Sequence, residues 1–272
     1  MLEDQKVAIL GAGKMGETLL SGLLDAGVVN KKRMMVTARR QARADYLREK
    51  YDVVATTENS EAVHFADVLV LSVKPQGVEK VLGEIKESIR KEQLLISVVA
   101  SVTTKFIESR LGNEVSVIRT MPNTPCLIRQ GMTGICAGAY ASNDDLDLSQ
   151  EIFQQVGRTM IVEEKHLDAV TGLSASGPAF IYVVIESMAE GGVKVGLPRD
   201  KATELAAQAV LGAASMVLKT REHPALLKDA VTTPAGCTID GLMEMEEGGL
   251  RVTMIKTIVK ATERASQLME AN

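Results

Sequence analysis

Three glycines with the spacing G-x-G-x-x-G directly follow the apolar run Val7–Leu10. A short apolar run is typical of a buried strand, and Glu17–Ala26 has a helical pattern. In a strand–turn–helix unit, the first glycine permits the tight turn, the second lets the backbone approach a pyrophosphate, and the third lets the helix pack closely on the sheet. This segment therefore predicts a dinucleotide-binding loop; the alternative is a glycine-rich turn without a ligand. Its candidate binding residues are Gly11, Ala12, Gly13, Lys14, Met15 and Gly16.

The residues after the second predicted strand, Met34–Thr37, indicate which dinucleotide binds. Folds that prefer NAD have an acidic residue at this point for the ribose hydroxyls, but this chain continues with Ala38, Arg39 and Arg40. Two guanidinium groups suit a 2′-phosphate, although a solvated basic start of a helix would have the same sequence. Because no carboxylate is present, NADPH is favoured as the cofactor and NADH is the alternative. Thr37, Arg39 and Arg40 are the candidate ligands.

Apolar runs alternate with helical segments through the first part of the chain. Runs such as Val68–Val73 are continuously apolar, which is typical of strands that are covered on both faces. The alternation of strand and helix predicts an α/β fold with a Rossmann-type, doubly wound parallel sheet. We assign this nucleotide-binding domain to residues 1–164.

The strand signals end near His166, and the rest of the chain has helical patterns. Long helices are predicted over Pro178–Val193, Arg199–Thr220 and Leu250–Met269. They are rich in alanine and apolar on more than one side, so a single chain buries them poorly. We therefore predict an all-helical domain over residues 165–272 that intertwines with a second subunit.

The composition is that of a soluble enzyme and disfavours several classes of partner. Of the 272 residues, 46% are hydrophobic and 24% are charged, and the net charge of −4 argues against nucleic acid or an anionic membrane as a partner. The cysteines form no CxxC pair and the histidines lack metal-ligand spacing, so we expect no disulfide framework and no metal site. The start MLEDQK is unlike a signal peptide, and we expect no apolar run that approaches membrane-spanning length. These features predict a cytoplasmic protein.

Residues that follow the strands are candidates for the second substrate, because ligands of such sheets bind at the carboxyl ends of the strands. Ser72-Val73-Lys74-Pro75 follows one strand, Ser101 follows another, and Met121-Pro122-Asn123-Thr124-Pro125 follows a third. Lys74 is either a ligand or a solvated residue at the start of a helix.

Two stretches of small residues stand out in the helical half. Ser174–Phe180 contains small residues and a proline that enters a long helix, which permits close approach of a ligand. In Thr232–Asp240, Thr233 is suited to cap a helix and Pro234 to occupy its first position. Such a helix start collects free N–H donors that suit a carboxylate. The alternative is an ordinary capped loop.

Taken together, these segments resemble the pyrroline-5-carboxylate reductase family essentially from end to end. The resemblance lies in GAGKMG at 11–16, SVKP at 72–75, RTMPNTP at 119–125, AVTGLSASGPAF at 169–180, EGGVKVGLP at 190–198 and LKDAVTTPAGCTIDGL at 227–242. It implies NAD(P)H-dependent reduction of 1-pyrroline-5-carboxylate to L-proline, the last step of proline synthesis. It also implies a Rossmann domain followed by a helical dimerisation domain, with the active site between subunits, and dimers that assemble further into decamers.

The resemblance also implies roles for particular residues. Asn59 is expected to contact the adenosine part of the cofactor, and Ser72 is expected to bind the cofactor. The nicotinamide side is expected to be lined by Val73, Lys74, Pro75, Ala100 and Asn123. Thr238 is expected to be catalytic, its hydroxyl bonded to the ring nitrogen of the substrate. The expected substrate-binding residues are Ser176, Glu222, Val231, Thr233, Gly236, Cys237 and Thr238.

Two positions depart from the family's pattern. Ala235 and Ser101 stand where the family usually has glycine, and we expect these changes to tune affinity rather than to abolish activity. A β-hydroxyacid dehydrogenase shares the two-part layout, but it needs a lysine four residues after a glycine on the long helix; here the first lysine after Gly177 is Lys194. The other alternative is a protein that binds the cofactor without turnover.

Overall fold

A computed structural model describes residues 2–112 and 114–270 of the chain, which divide into two compact units. The first unit runs to Ala175 and also includes the end of the chain from Ala261, whereas Ser176–Lys260 form the second. This division lies later than the predicted boundary after residue 164, because Leu167 packs against Met121 of the first unit. As a boundary between functional domains, residue 164 stays a prediction.

One sheet organises the first unit. Within the described residues its strands are β1 Val7–Leu10, β2 Met34–Thr37, β3 Val54–Thr56, β4 Val68–Leu71, β5 Leu94–Ser97, β6 Ser116–Met121, β7 Gly131–Ala137 and β8 Gly157–Ile161. Their order is β3-β2-β1-β4-β5-β6-β7-β8, and every neighbouring pair is parallel except β6 and β7. The chain builds outward from β1 to β3 and then returns to β4 beside β1. The sheet therefore has the switch point, between β1 and β4, that characterises the predicted doubly wound fold.

Helices cover both faces of this sheet. They are α1 Lys14–Asp25, α2 Gln41–Tyr51, α3 Asn59–Phe65, α4 Val78–Ile85, α5 Thr104–Leu111, α6 Asn143–Gln154 and α7 Leu167–Val170. Successive residues of β1 point to opposite faces, so Val7 and Ile9 pack with α1, α2 and α6, whereas Ala8 and Leu10 pack with α3, α4 and α5. Burial on both faces explains why the strands read as continuous apolar runs.

The second unit is helical. It contains α8 Gly177–Lys194, α9 Arg199–Thr220, α10 Pro224–Ala230, α11 Cys237–Glu247 and the first part of α12 Leu250–Glu270. Small residues bring α8 and α9 together: Ala189, Ala202 and Ala206 are buried, and a Cβ on Gly192 would lie 2.9 Å from the Cβ of Ala202. Many large apolar side chains of these helices remain exposed on the single chain, including Tyr182, Leu205, Met216, Met243 and Ile255.

The expectation of no membrane-length apolar run is wrong for one stretch. In the described part of the chain, the helical segment Glu164–Lys194 is long and apolar enough by length and composition to cross a membrane, with a window of mean hydropathy 1.3. It reaches this length because α7, a π-helical stretch Thr171–Ala175 and α8 follow one another almost without a break.

Candidate active site

The glycine loop after β1 has the geometry that the sequence predicted. Gly11 has φ +84°, and a Cβ at this position would collide with the side chain of Val73. Its backbone N–H donates to the hydroxyl of Thr37 over 2.9 Å. A side chain would be both strained and sterically blocked here, so only glycine permits this turn beside the loop that follows β4.

The other two glycines open the start of α1. Gly13 is the N-terminal cap of α1, and no described side chain caps the helix. Apart from its chain neighbours, no described heavy atom lies within 4 Å of the position that a Gly13 Cβ would take. A Cβ on Gly16 would lie 3.0 Å from Cγ2 of Ile9 and 3.2 Å from the carbonyl oxygen of Gly11. The helix therefore packs closely on the sheet and presents free N–H groups to open space, which suits a pyrophosphate.

Thr37 and Asn59 belong to a chain of hydrogen bonds that supports this loop. The hydroxyl of Thr37 accepts from Gly11 and donates to Oδ1 of Asn59 over 2.7 Å, and Nδ2 of Asn59 donates to Glu84 over 2.7 Å. The backbone N–H of Ala12 also donates to the carbonyl of Thr37 over 2.7 Å. Thr37 is buried, and its hydroxyl stabilises the glycine loop through its bond to Gly11.

Arg39 and Arg40 are exposed beyond the end of β2, and neither guanidinium has a protein partner among the described residues. The nearest acidic residue along α2, Asp45, is already hydrogen-bonded by Gln41 and ion-paired with Arg48 at 2.8 Å. The end of β2 thus offers two free cations and no free carboxylate, which is the donor set that a 2′-phosphate needs.

Sequence reasoning missed the cluster around Glu17 that holds α2 against the loop. Arg43 donates to the carbonyl of Ala12 over 3.1 Å and pairs with Glu17 at 2.5 Å, while Lys50 and Tyr51 donate to the same carboxylate over 2.9 and 2.8 Å. Partial burial by itself would raise the pKa of Glu17, but the hydrogen bonds from Arg43, Lys50 and Tyr51 outweigh it and lower the pKa to about 2. No periodicity or motif predicts contacts of this kind.

The loop after β4 joins the same edge of the sheet. The backbone N–H of Ser72 donates to the carbonyl of Leu10 over 2.9 Å, and Val73 lies against Gly11. Lys74 is exposed, has no side-chain partner in the described part of the chain, and precedes a short 3-10 turn that begins at Pro75. Its ammonium is therefore available to a ligand.

Ala100 and Asn123 both belong to the first unit. Ala100 packs on the small cluster formed by Met121, Cys136 and Leu167. The side-chain amide of Asn123 is fully engaged: Nδ2 donates to the carbonyl of Ser174 over 3.2 Å, and Oδ1 accepts from the N–H of Met132 over 2.9 Å. Asn123 therefore ties the end of β6 to the start of β7 and to the π-helical stretch.

The predicted substrate loop of the second unit differs from expectation at its helix start. Thr233 does not cap a helix and Pro234 is not its first residue; α11 begins at Cys237, and Gly236 is its cap. The reason is the backbone of Ala235, whose φ of +55° turns the chain away from the helix. Since no side chain among the described residues caps α11, its first N–H groups lack a side-chain acceptor there.

Thr238, in the first turn of α11, is half-buried, and its hydroxyl makes no hydrogen bond within the described residues. Other threonines of this unit instead donate to the carbonyl four residues earlier; these are Thr203, Thr220, Thr232 and Thr257. A free hydroxyl beside free N–H groups is suited to a substrate that carries both a carboxylate and a nitrogen.

The remaining predicted substrate residues belong to the same unit. Ser176 precedes α8, and its side chain does not cap that helix. Glu222 and Val231 are exposed on either side of α10. The exposed thiol of Cys237 occupies the first position of α11. Among residues 2–112 and 114–270, no three His, Cys, Asp or Glu side chains are grouped as metal ligands.

Two family models match separate parts of the chain. Residues 164–268 match the model described as pyrroline-5-carboxylate reductase dimerisation, and residues 6–101 match the model described as NADP oxidoreductase, coenzyme F420-dependent. A curated pyrroline-5-carboxylate reductase from Methanosarcina acetivorans is 42% identical, over 98% of this chain and 99% of the relative.

Solved structures agree with these matches. A pyrroline-5-carboxylate reductase from Coxiella burnetii is 36% identical with a TM-score of 0.91, over 97% of this chain and 98% of that one. A pyrroline carboxylate reductase from Plasmodium falciparum with NADP bound is 29% identical with a TM-score of 0.88, over 99% of this chain and 100% of that one.

Proposed function

From the premise that the chain belongs to the pyrroline-5-carboxylate reductase family, we propose how its residues carry out the reaction. The protein is an NAD(P)H-dependent reductase that converts 1-pyrroline-5-carboxylate to L-proline. The substrate is a cyclic imine with a carboxylate, and the bound cofactor supplies the hydride that the imine carbon receives. The ring nitrogen gains a proton and becomes a secondary amine. The chain must therefore hold the cofactor and the substrate in the orientation that hydride transfer needs, and it must allow one proton to reach the ring nitrogen.

The first unit is proposed to hold the cofactor. The open start of α1 at Gly13 suits the pyrophosphate, and the unpaired guanidiniums of Arg39 and Arg40 suit a 2′-phosphate. In this proposal, the adenosine half lies on the β2 side of the switch point and the nicotinamide half on the β4 side, near Val73 and Ala100. These donors support a preference for NADPH over NADH.

The second unit is proposed to hold the substrate by its carboxylate. The uncapped start of α11 is the observation that carries this assignment, because its N–H groups and the helix dipole both favour an anion. The left-handed backbone of Ala235 fixes the approach of the loop to the helix. Thr233, Gly236 and Cys237 are the proposed neighbours of the bound carboxylate.

Thr238 is proposed to bond the ring nitrogen through its free hydroxyl. A neutral hydroxyl is a weak acid, so its role is to orient the nitrogen. The proton reaches a neutral imine from water through this hydroxyl, whereas a substrate that binds as the protonated imine already carries it and needs no transfer. A bond that strengthens as the nitrogen becomes an amine stabilises the transition state more than the ground state.

A kinetic assay tests this proposal. Purified protein is mixed with NADPH and pyrroline-5-carboxylate, NADPH absorbance is followed, and L-proline is measured as the product. We expect turnover by the wild type, a loss of roughly tenfold or more in kcat for Thr238→Val, and no change for Thr203→Val, whose hydroxyl donates to the backbone carbonyl of Arg199. Binding of NADPH without consumption would identify the protein as a cofactor-binding sensor. Full activity of Thr238→Val would remove Thr238 from the mechanism.

The protein self-associates, and the helical region is the part that the dimerisation model covers. We propose that the exposed apolar side chains of α8 and α9, which belong to this region, are covered by a second copy, and that dimers assemble further into decamers. Light scattering on the purified protein measures the mass of the assembly. A decamer supports the proposal, and a dimer without larger species contradicts the assembly into decamers.

We propose no nucleic-acid or membrane partner; retention of the protein on vesicles of anionic lipid would contradict this.

We also propose that the protein acts in the cytoplasm. All of its cysteines, Cys126, Cys136 and Cys237, are free thiols, and two of them are buried, which suits a reducing compartment. Fractionation of cells followed by immunoblotting tests this: signal in the soluble cytoplasmic fraction supports it, and signal in a secreted or membrane fraction contradicts it.

A further inference from the structure

Arg119 is a buried residue of the first unit that has no role in the chemistry described above. Its side chain is fully buried in β6, and NH1 pairs with Oε1 of Glu164 at 3.1 Å. NH2 lies 3.9 Å from Oδ1 of Asp168. In the part of the chain that the structure describes, Nε and NH2 make no hydrogen bond. A buried guanidinium with unused donors contributes little to stability, so another role is to be sought for it.

The carboxylate of Glu164 connects Arg119 to the loop after β5, because it bonds both Arg119 and Thr104. Oε1 of Glu164 also accepts from the backbone N–H of Thr104 over 2.8 Å, and Oε2 accepts from the Thr104 hydroxyl over 2.7 Å. The carboxylate thus holds both the main chain and the side chain at the start of α5. The facing residue on β7, Cys136, does not counter the guanidinium charge, because burial and the nearby charge of Glu164 raise the pKa of its thiol to about 12.

The neighbouring residue of β6 holds the other end of the same loop. The hydroxyl of Thr120 donates to the carbonyl of Ser97 over 3.0 Å, at the point where β5 ends. Between the two anchors lies Ser101, which is buried and has φ +61°. A left-handed serine costs on the order of 1 kcal/mol and persists only where its surroundings fix it. The loop is therefore held in a defined, strained shape.

We propose that Arg119 is a positioning residue that, through Glu164 and Thr104, fixes the loop 98–103 against the nicotinamide half of the cofactor. This inference rests on the proposed function, which assigns that half to the β4–β5 side of the sheet. Arg119 touches neither cofactor nor substrate in this account. Its effect is on the orientation of the reactive ring, whereas the adenosine half depends on the glycine loop, Arg39 and Arg40.

Two ligands separate these effects. NADPH contains both halves of the cofactor, and 2′,5′-ADP contains only the phosphorylated adenosine half. Three variants are compared with wild type: Thr104→Val, which removes one bond to Glu164; Arg119→Met, which removes the cation; and Thr159→Val, a matched control. The Thr159 hydroxyl accepts from the side-chain amide of Gln150 over 3.2 Å. Wild-type turnover is measured first and tests the proposed function by itself.

We expect Thr104→Val and Arg119→Met to lower kcat roughly tenfold and to weaken NADPH binding, while the Kd of 2′,5′-ADP stays unchanged. Thr159→Val is expected to change none of these values. If Arg119→Met does not fold, Thr104→Val carries the test, since it removes only one hydroxyl. Unchanged kcat and NADPH binding in a folded Thr104→Val would overturn the proposal. So would a parallel loss of NADPH and 2′,5′-ADP binding, because that pattern indicates general loosening of the unit.

Discussion

The hydroxyl of Thr37, at the end of β2, accepts a 2.9 Å hydrogen bond from the backbone N–H of Gly11 in the turn after β1. This bond joins the two strand ends that are proposed to face the pyrophosphate and the adenosine ribose. Gly11 itself has a left-handed backbone. The hydroxyl of Thr37 therefore stabilises the conformation of the glycine loop.

Replacing Thr37 by valine keeps the volume of the side chain and removes this acceptor. A buried donor left without a partner costs about 1 to 3 kcal/mol, so we expect NADPH binding to weaken by roughly tenfold or more and the melting temperature to fall. Fluorescence titration with NADPH measures the affinity. An unchanged Kd for Thr37→Val would show that the loop does not depend on this bond.

Arg39 and Arg40 are expected to determine the choice of cofactor. Changing both to methionine removes two unpaired cations without removing the hydrophobic stems, so KM for NADPH should rise roughly tenfold or more while KM for NADH stays nearly constant. Lys32→Met is the control, because Lys32 is an exposed cation on a turn that precedes β2. Equal losses with NADPH and NADH would contradict a role in recognising the 2′-phosphate.

The Glu17 cluster predicts a particular dependence of stability on pH. Because folding lowers the pKa of Glu17 from an ordinary 4.5 to about 2, its contribution is present above pH 4.5 and is lost as the pH falls toward 2. Glu17→Gln should therefore be less stable than wild type at neutral pH, by on the order of 1 kcal/mol, and the gap should close in acid. Urea unfolding of both proteins at about pH 7 and about pH 3 measures this gap. A gap of equal size at both pH values would contradict the assignment.

Replacing Ala235 by glycine is expected to stabilise the protein, whereas replacing an alanine inside a helix by glycine is expected to destabilise it. Its φ of +55° is costly for alanine and not for glycine, so Ala235→Gly should raise the free energy of unfolding by about 0.5 to 1 kcal/mol. The control Ala207→Gly, in the middle of α9, should lower it by about 1 kcal/mol. Destabilisation by both substitutions would show that the loop does not retain the left-handed turn in solution.

The sequence was sufficient to predict the sheet of the first unit, because its strands are buried on both faces and alternate with helices of ordinary length. It was insufficient for α10 and α11, which are short and lie among proline, glycine and threonine residues that also suit loops. The cap at Thr233 was wrong because a single left-handed residue, Ala235, delays the helix to Cys237.

Contacts distant in the chain were beyond sequence reasoning for a different reason. Glu17 and Arg43 are 26 residues apart, and Arg119 and Glu164 are 45 apart. No local pattern encodes such pairs, because they depend on how finished strands and helices pack. The motif that contains Arg119 was noticed through resemblance, yet only the structure relates this arginine to the loop after β5.

A crystal structure of the protein with NADP and L-proline tests the central claim most directly. We predict that the carboxylate of L-proline lies about 3 Å from the backbone N–H groups of Cys237 and Thr238, with its ring nitrogen within hydrogen-bonding distance of the Thr238 hydroxyl. L-proline bound away from residues 233–238 would contradict it.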